Sequence, residues 1–309
     1  MANSIAYADV FQKTLDLLAV REARTGWMEA NAGQVIYDGG KNVKIPKMSV
    51  QGLGDYSRSA GYKLGDVTVT YETREMTQDR GRKFILDEMD VNESNFVATA
   101  GNVMGEFQRT FVVPEIDAYR ISMIVTAAIG AAQSGMIAYG YTPAEATILR
   151  KIKEGIKAVR EQGWNGPLVI QANDDTVLEL EMAVAGKIQS VTFAQGGIDT
   201  TVPAVDGVPV IGTPSNRMYS AITLYDGATS GQEAGGYVKG ASALDVNFIV
   251  LPAIVPLAIS KQDKMRIFDP NTYQGANAWS IDYRRYHDLW VKDNAAKGIY
   301  VSIKSAQPS

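Results

Sequence analysis

Tyr7, Phe11, Leu15 and Leu18 recur at helical spacing near the start of the chain and predict a short amphipathic helix that ends by Gly26. From Val35 to Thr73 the reading changes to extended structure. Val43 and Ile45, before Pro46, predict one strand, and Val67-Thr68-Val69-Thr70-Tyr71 predicts the strand that returns beside it. The tip between them holds Gly52, Gly54, Gly61 and Gly65, which raise the entropic cost of ordering it. Leu53, Tyr56, Tyr62 and Leu64 are too dispersed to offset that cost, so cover for this hairpin is expected from outside it.

A helical period returns in Phe96, Ala100, Val103, Met104, Phe107 and Phe111, one face of a long helix from about Asn92 to Val112. Pro114 is expected to interrupt that helix and start the next, with Glu115 and Asp117 in its first turn and Ile121, Ile124, Val125 and Ala128 along its apolar face. Thr142-Pro143-Ala144-Glu145 predicts a third helix, with a hydroxyl cap, a proline at the first position and a reciprocal acid. Leu149, Ile152, Ile156 and Val159 continue it and Gly163 stops it.

From Pro167 the pattern becomes mixed. A strand over Pro167 to Ala172 precedes a helix through Val177, Leu178 and Met182 to Gly186, and then the β-rich pieces GVPVIG and DVNFIVLP. This reads as a separate α/β lobe, whose loop from Asp226 to Gly240 is free to move or to meet another subunit. Trp279 to Val291 and Ile299 to Ile303, flanking KDNAAKG, predict an antiparallel hairpin that closes the sheet of the first lobe.

Composition narrows the function classes. With 309 residues and 46% hydrophobic content the chain can bury a sizeable core and form two lobes. A net charge of -4 argues against tight nucleic-acid binding, which needs a dense excess of Lys and Arg. The absence of cysteine excludes disulfides, thiolate nucleophiles and cysteine-ligated metals, and the chain reads as cytosolic in origin. Asp9, Lys13 and Asp16 break up any signal-peptide core, and no segment reaches the length of an apolar membrane span.

Positive signs of catalysis are missing. His287 is the single histidine, lies in the strand-like DYRRYHDLW, and reads as structural because no nucleophile motif accompanies it. Asp174-Asp175 sits where a helix wants an N-cap rather than in a metal-ligand pattern. Gly52 and Gly54 lack the third glycine of a dinucleotide fingerprint. In DYRRYHDLW the mixture of aromatic and basic residues is explained by strand alternation, with Tyr283 and Arg285 on one face and Arg284, Tyr286 and Asp288 on the other. Asp79, Arg80, Arg82, Lys83, Asp87, Glu88 and Asp90 form a mixed-sign cluster suited to ion pairing within the chain or with a neighbour, or to a solvated surface.

The run YETREMTQDRGRKFILDEMDVNESNFVATAGNVMGEFQRTFVVPEIDAYR resembles the central segment of major capsid proteins of tailed bacteriophages, and IDTTVPAVDGVPVIGTPSNRM is similar to a loop and strand of the same family. With the order of elements, the resemblance covers nearly the whole chain. It implies an α+β class and the Hong Kong ninety-seven coat fold. Residues 1–34 would be the N-terminal arm and 35–83 the extended hairpin called the E-loop. Residues 84–166 and 268–309 would form the peripheral domain with its spine helix, and 167–267 the axial domain. The function implied is a structural subunit, not an enzyme, that builds an icosahedral head from hexamers and pentamers around double-stranded DNA.

In such a shell the hairpin lies across a neighbour, which supplies the missing cover. Residues assigned on this reading to contacts between subunits are Leu53, Tyr56, Arg58, Tyr62, Lys63, Arg74, Arg80, Arg82, Asp87 and Glu88. Expected partners are further copies of the chain, portal and scaffolding proteins, a decoration protein in some members, and weak non-specific contact with packaged DNA. No cofactor, metal or membrane partner is expected. The implied location is the virion, after assembly in the host bacterial cytoplasm, with a separate scaffold or an already processed N-terminus. Lys41, Lys44, Lys47 and Lys63 lie in the loop that some members crosslink, but no motif selects one. An encapsulin-type compartment shares the fold and remains an alternative, as does a soluble carboxylate-dependent hydrolase.

Overall fold

The computed structural model describes residues 23–37, 41–59, 61–89, 100–184, 189–195, 198–273 and 275–308. The amphipathic helix expected before Gly26 and residues 92–99 of the expected long helix therefore lie outside the described residues.

Strands β1 (Ile36–Tyr37), β2 (Asn42–Val50) and β3 (Val67–Glu75) form one small sheet, in which β2 is central. Strand β4 (Gln78–Asp87) follows directly. After it come helices α1 (Ala100–Phe107) and α2 (Val113–Ala131), joined by a π-helical turn over Gln108–Val112. Strand β5 (Ile137–Ala138), helix α3 (Glu145–Glu161), β6 (Leu168–Asn173) and helix α4 (Asp174–Ala183) come next. Then follow β7 (Gln189–Gln195), β8 (Ile198–Val205) and β9 (Val208–Thr213). A ribbon of β10 (Ile222–Leu224) and β11 (Tyr237–Lys239) precedes β12 (Val246–Pro252), β13 (Pro256–Phe268), β14 (Ala278–Val291), helix α5 (Asp293–Ala296) and β15 (Tyr300–Ile303).

A seven-stranded sheet, in the order β5-β15-β12-β6-β9-β8-β7, carries the larger core. Its central strands are apolar on both faces, as burial on both sides requires. Alternation divides them: Val169, Ile249, Leu251 and Val301 meet Ile121, Ile124 and Val125 of α2. Ile170, Phe248, Val250 and Tyr300 meet Ile148, Ile152 and Val159 of α3 and Leu180 of α4. Trp27 and Met28, in a 3-10 segment over Gly26–Gln34, also enter the α2 side of this core.

A second sheet, β13-β14-β4, is built on the fourteen-residue strand β14. One end covers α1, where Met104 and Phe107 pack with Phe84, Met265, Ile281 and Tyr283. The other end receives the base of the β2–β3 hairpin, where Val43 and Ile45 pack with Met76, Leu257, Tyr286 and Trp290.

Four expectations need correction. Pro114 does not interrupt the long helix; backbone angles stay helical through Phe107, Val112 and Val113, so α1 and α2 run on as one rod. The physical reason is the π turn, where the Val113 N–H donates to the Gln108 carbonyl and widens the turn ahead of a proline that has no N–H to give. Thr142 does not cap α3, whose N-cap is Ala144 in extended conformation with no side-chain bond. Thr142 precedes a proline and is biased toward extended backbone, so the helix begins after Pro143. The cap of α4 is Asn173, whose side chain accepts from the Thr176 N–H at 2.8 Å, with Asp174 and Asp175 in the first turn.

The last correction is topological: β14 and β15 are not a hairpin. Between them α5 buries Ala295 and Ala296 against the α2 core, and β15 then enters the larger sheet between β12 and β5. All four residues of β15 are buried, and only a sheet covered on both faces accommodates that.

Candidate assembly interface

Strands β2 and β3 pair without a break from Asn42 opposite Glu75 to Val50 opposite Val67. Their cover is uneven. At the base, the Met76 N–H donates to the Lys41 carbonyl at 2.9 Å, Arg74 reaches Asp293 at 2.8 Å, and Glu72 lies between Lys47 and Arg74. Beyond Pro46 the hairpin leaves the body. Met48, Val50, Val67, Val69 and Tyr71 are exposed, and so at the tip are Leu53, Tyr56, Tyr62 and Leu64. The tip is held by its own small contacts: Ser57 and Gly61 bridge, with Gly61 in the left-handed region, and the Tyr56 and Tyr62 rings lie 5.0 Å apart.

The residues assigned to contacts between subunits thus fall into two groups. Leu53, Tyr56, Arg58, Tyr62 and Lys63 are brought together on the exposed tip. The others lie at or below the hairpin base and make bonds inside the chain. Arg80 forms a two-point pair with Glu115, its second bond 2.9 Å, and Arg82 donates to the Glu233 carbonyl at 3.0 Å. Asp87 accepts from the Met89 N–H at 2.9 Å, and the Glu88 N–H donates to the Asn277 carbonyl at 3.2 Å. Arg80 also donates to the Gly236 carbonyl at 3.4 Å, so Arg80 and Arg82 attach β4 to the glycine-rich loop between β10 and β11. That loop is itself ordered by Asp226, whose pKa is held down to about 2 by hydrogen bonds from the Thr229 hydroxyl and the Thr229 and Ala228 N–H groups.

A charge network ties the 3-10 segment to α2 and to the β13-β14-β4 sheet. Glu29 pairs with the fully buried Arg120 at 2.5 Å and with Arg285 at 3.0 Å, and Arg285 also meets Asp263 at 2.8 Å. Burial works to raise the Glu29 pKa, but Arg120 and Arg285 outweigh it and hold the carboxyl below its ordinary range. Asp117 accepts from the Arg24 and Thr25 N–H groups, the Thr25 hydroxyl and Arg217. Asn31 donates to the Ala253 and Pro256 carbonyls. Sequence reasoning missed this segment because its three consecutive buried residues, Gly26, Trp27 and Met28, show no period.

His287 is buried in β14 with its ring edge-on to Tyr119 at 5.7 Å. Burial pushes its pKa well below the ordinary value, and Arg285, Arg120 and Arg80 push it further down, so the imidazole is neutral. Asp288, next along, accepts from the Tyr119 hydroxyl at 2.7 Å and the Thr77 N–H at 2.8 Å, a structural role. Among the described residues no three His, Asp or Glu side chains converge as a metal site.

No family model matches this chain. No curated protein matches it in sequence. Solved structures do. The cyanophage P-SCSP1u capsid matches at TM-score 0.55 and 11% identity over 88% of this chain and 85% of that one. The mature capsid of bacteriophage PhiM1 matches at 0.54 and 11% over 87% and 83%. A virus-like particle from Pyrococcus furiosus matches at 0.52 and 12% over 96% and 99%. These likenesses are of fold: the chain has the α+β Hong Kong ninety-seven architecture of phage capsid proteins.

Proposed function

We propose that this protein is a structural, non-enzymatic shell subunit that assembles with copies of itself, as hexamers and pentamers, into the head of a tailed phage around double-stranded DNA. One observation carries the reading: a nine-residue-stranded hairpin projects from this capsid fold with its outer apolar side chains uncovered by its own chain. A neighbouring copy supplies that cover, with Leu53, Tyr56 and Tyr62 as apolar contacts and Arg58 and Lys63 as polar ones. Many modest contacts of this kind, repeated around a closed lattice, hold a shell together even when each pair is weak. The acidic net charge fits a container through which DNA slides. Portal, scaffolding and decoration proteins are further partners on this reading, and the virion is its location.

The test is electron microscopy and sedimentation of purified protein, beside a variant lacking Gln51 to Leu64. Closed particles or capsomers from the full chain, and folded but assembly-defective protein from the deletion, are expected. Complete shells from the deletion would refute the role given to the hairpin. The nearly full-length match to the virus-like particle from Pyrococcus furiosus favours a second reading, a closed shell compartment other than a phage head. Nuclease-treated particles that contain no nucleic acid would favour that compartment over a phage head.

A further inference from the structure

Helices α3 and α4 lie side by side on one face of the larger sheet and turn chemically opposite surfaces outward. Helix α3 carries Arg150, Lys151, Lys153, Lys157 and Arg160 against Glu145, Glu154 and Glu161. Helix α4 carries Asp174, Asp175, Glu179 and Glu181 and no basic residue. The acidic surface has an apolar centre, because Leu178 and Met182, one helical turn apart, are both at least half exposed. The basic surface has a shallow depression, lined by Leu149, Arg150, Lys153, Glu154 and Lys157, in which Leu149 lies beside the aliphatic stems of the lysines and Lys153 pairs with Asp206 at 3.0 Å.

Resting on the shell reading, we infer that the acidic face of α4 docks on the α3 depression of a second copy of this chain. Leu178 and Met182 cover Leu149 and the lysine stems, and Asp175 and Glu181 face Arg150 and Lys157. Charge complementarity selects the occupant, since a net-negative stripe and a net-positive groove on one chain attract between copies and register them. The chain's own α4 does not fill this role, because Leu178 and Met182 stay exposed while α3 and α4 share a core through their other faces. Donor and acceptor surfaces differ, so the contact is heterologous and passes from copy to copy, as a ring of subunits requires.

The experiment compares four proteins by particle yield in sedimentation and negative-stain microscopy, with thermal melting as the folding control. They are the wild type, Asp175→Lys with Glu181→Lys, Arg150→Glu with Lys157→Glu, and all four substitutions together. The substituted residues are exposed, and the helical ion pairs Arg150–Glu154 and Lys157–Glu161 that are lost are surface pairs, so all four proteins should fold. Each double variant should lose about tenfold or more in particle yield, and the combination, which restores opposite signs across the contact, should recover most of it. Double variants that assemble like the wild type, or a combination that recovers nothing, would overturn the contact and leave the shell reading intact. A wild type that forms no assemblies would overturn the shell reading itself, and this contact with it.

Discussion

Replacing Leu53, Tyr62 and Leu64 together with serine tests the hairpin most directly. In the single chain these side chains are 108%, 89% and 102% exposed, so they contribute almost nothing to the stability of the isolated subunit. Exposed substitutions of this kind stay within about 0.5 kcal/mol each. Under a neighbour the balance differs, since fully burying a large apolar side chain is worth about 1.5–3 kcal/mol. Three of them give on the order of 5 kcal/mol per contact, more than a thousandfold in its equilibrium constant. The assay pairs thermal unfolding of unassembled protein with the threshold concentration for particle formation. The expected result is an unchanged melting temperature with a threshold raised beyond reach. Assembly at the wild-type threshold would refute the reasoning, and so would a melting temperature lowered by several degrees, which would mean that the tip packs on its own chain.

Gly155→Ala should destabilise by about 1–3 kcal/mol although alanine favours helices, because its Cβ would lie 2.8 Å from the Tyr300 ring and 3.2 Å from Val250; chemical denaturation reads the sign. Asp117→Ala should cost about 3–5 kcal/mol by stranding Arg217 and the Thr25 donors, and limited trypsin digestion should then cut after Arg24 far faster than in wild type. The His287 pKa is depressed in the folded state, so the unfolded chain binds the extra proton. Its contribution is full above the unfolded pKa near 6.5 and is lost as pH falls below it, by at most about 1.4 kcal/mol per unit. Urea midpoints at pH 7.5 and 5.5 should accordingly fall further in wild type than in His287→Gln, and equal falls would show that the imidazole is not the group responsible.

Local rules reached a good part of this molecule. Glycine spacing and β-branched alternation marked the β2–β3 hairpin, and the shortage of apolar residues at its tip matches the exposure of Leu53, Tyr56, Tyr62 and Leu64. The 3.6-residue period found the buried face of α2 and, through Ile152 and Val159, part of that of α3, and Gly163 ended the latter in the left-handed region. The exposure of Leu53, Tyr56 and Tyr62 was legible for the same reason, since a ribbon with too little oil cannot bury what it has. The Arg80 and Arg82 attachments to a loop some 150 residues away were not, because charge pairing carries no period.

The sequence by itself determined the β2–β3 hairpin, the helical runs of α2 and α3 and the strands β6, β9 and β12, because period, turn chemistry and entropy act over a few neighbouring residues. Tertiary structure alone decided where those elements went. A π turn carried the rod past Pro114, and two covered faces drew β15 away from β14. An aperiodic Gly26-Trp27-Met28 became core because Asp117 and Asn31 held its ends. Each of those outcomes depends on burial against residues distant in the chain, and burial is a property of the assembled volume that no local pattern encodes.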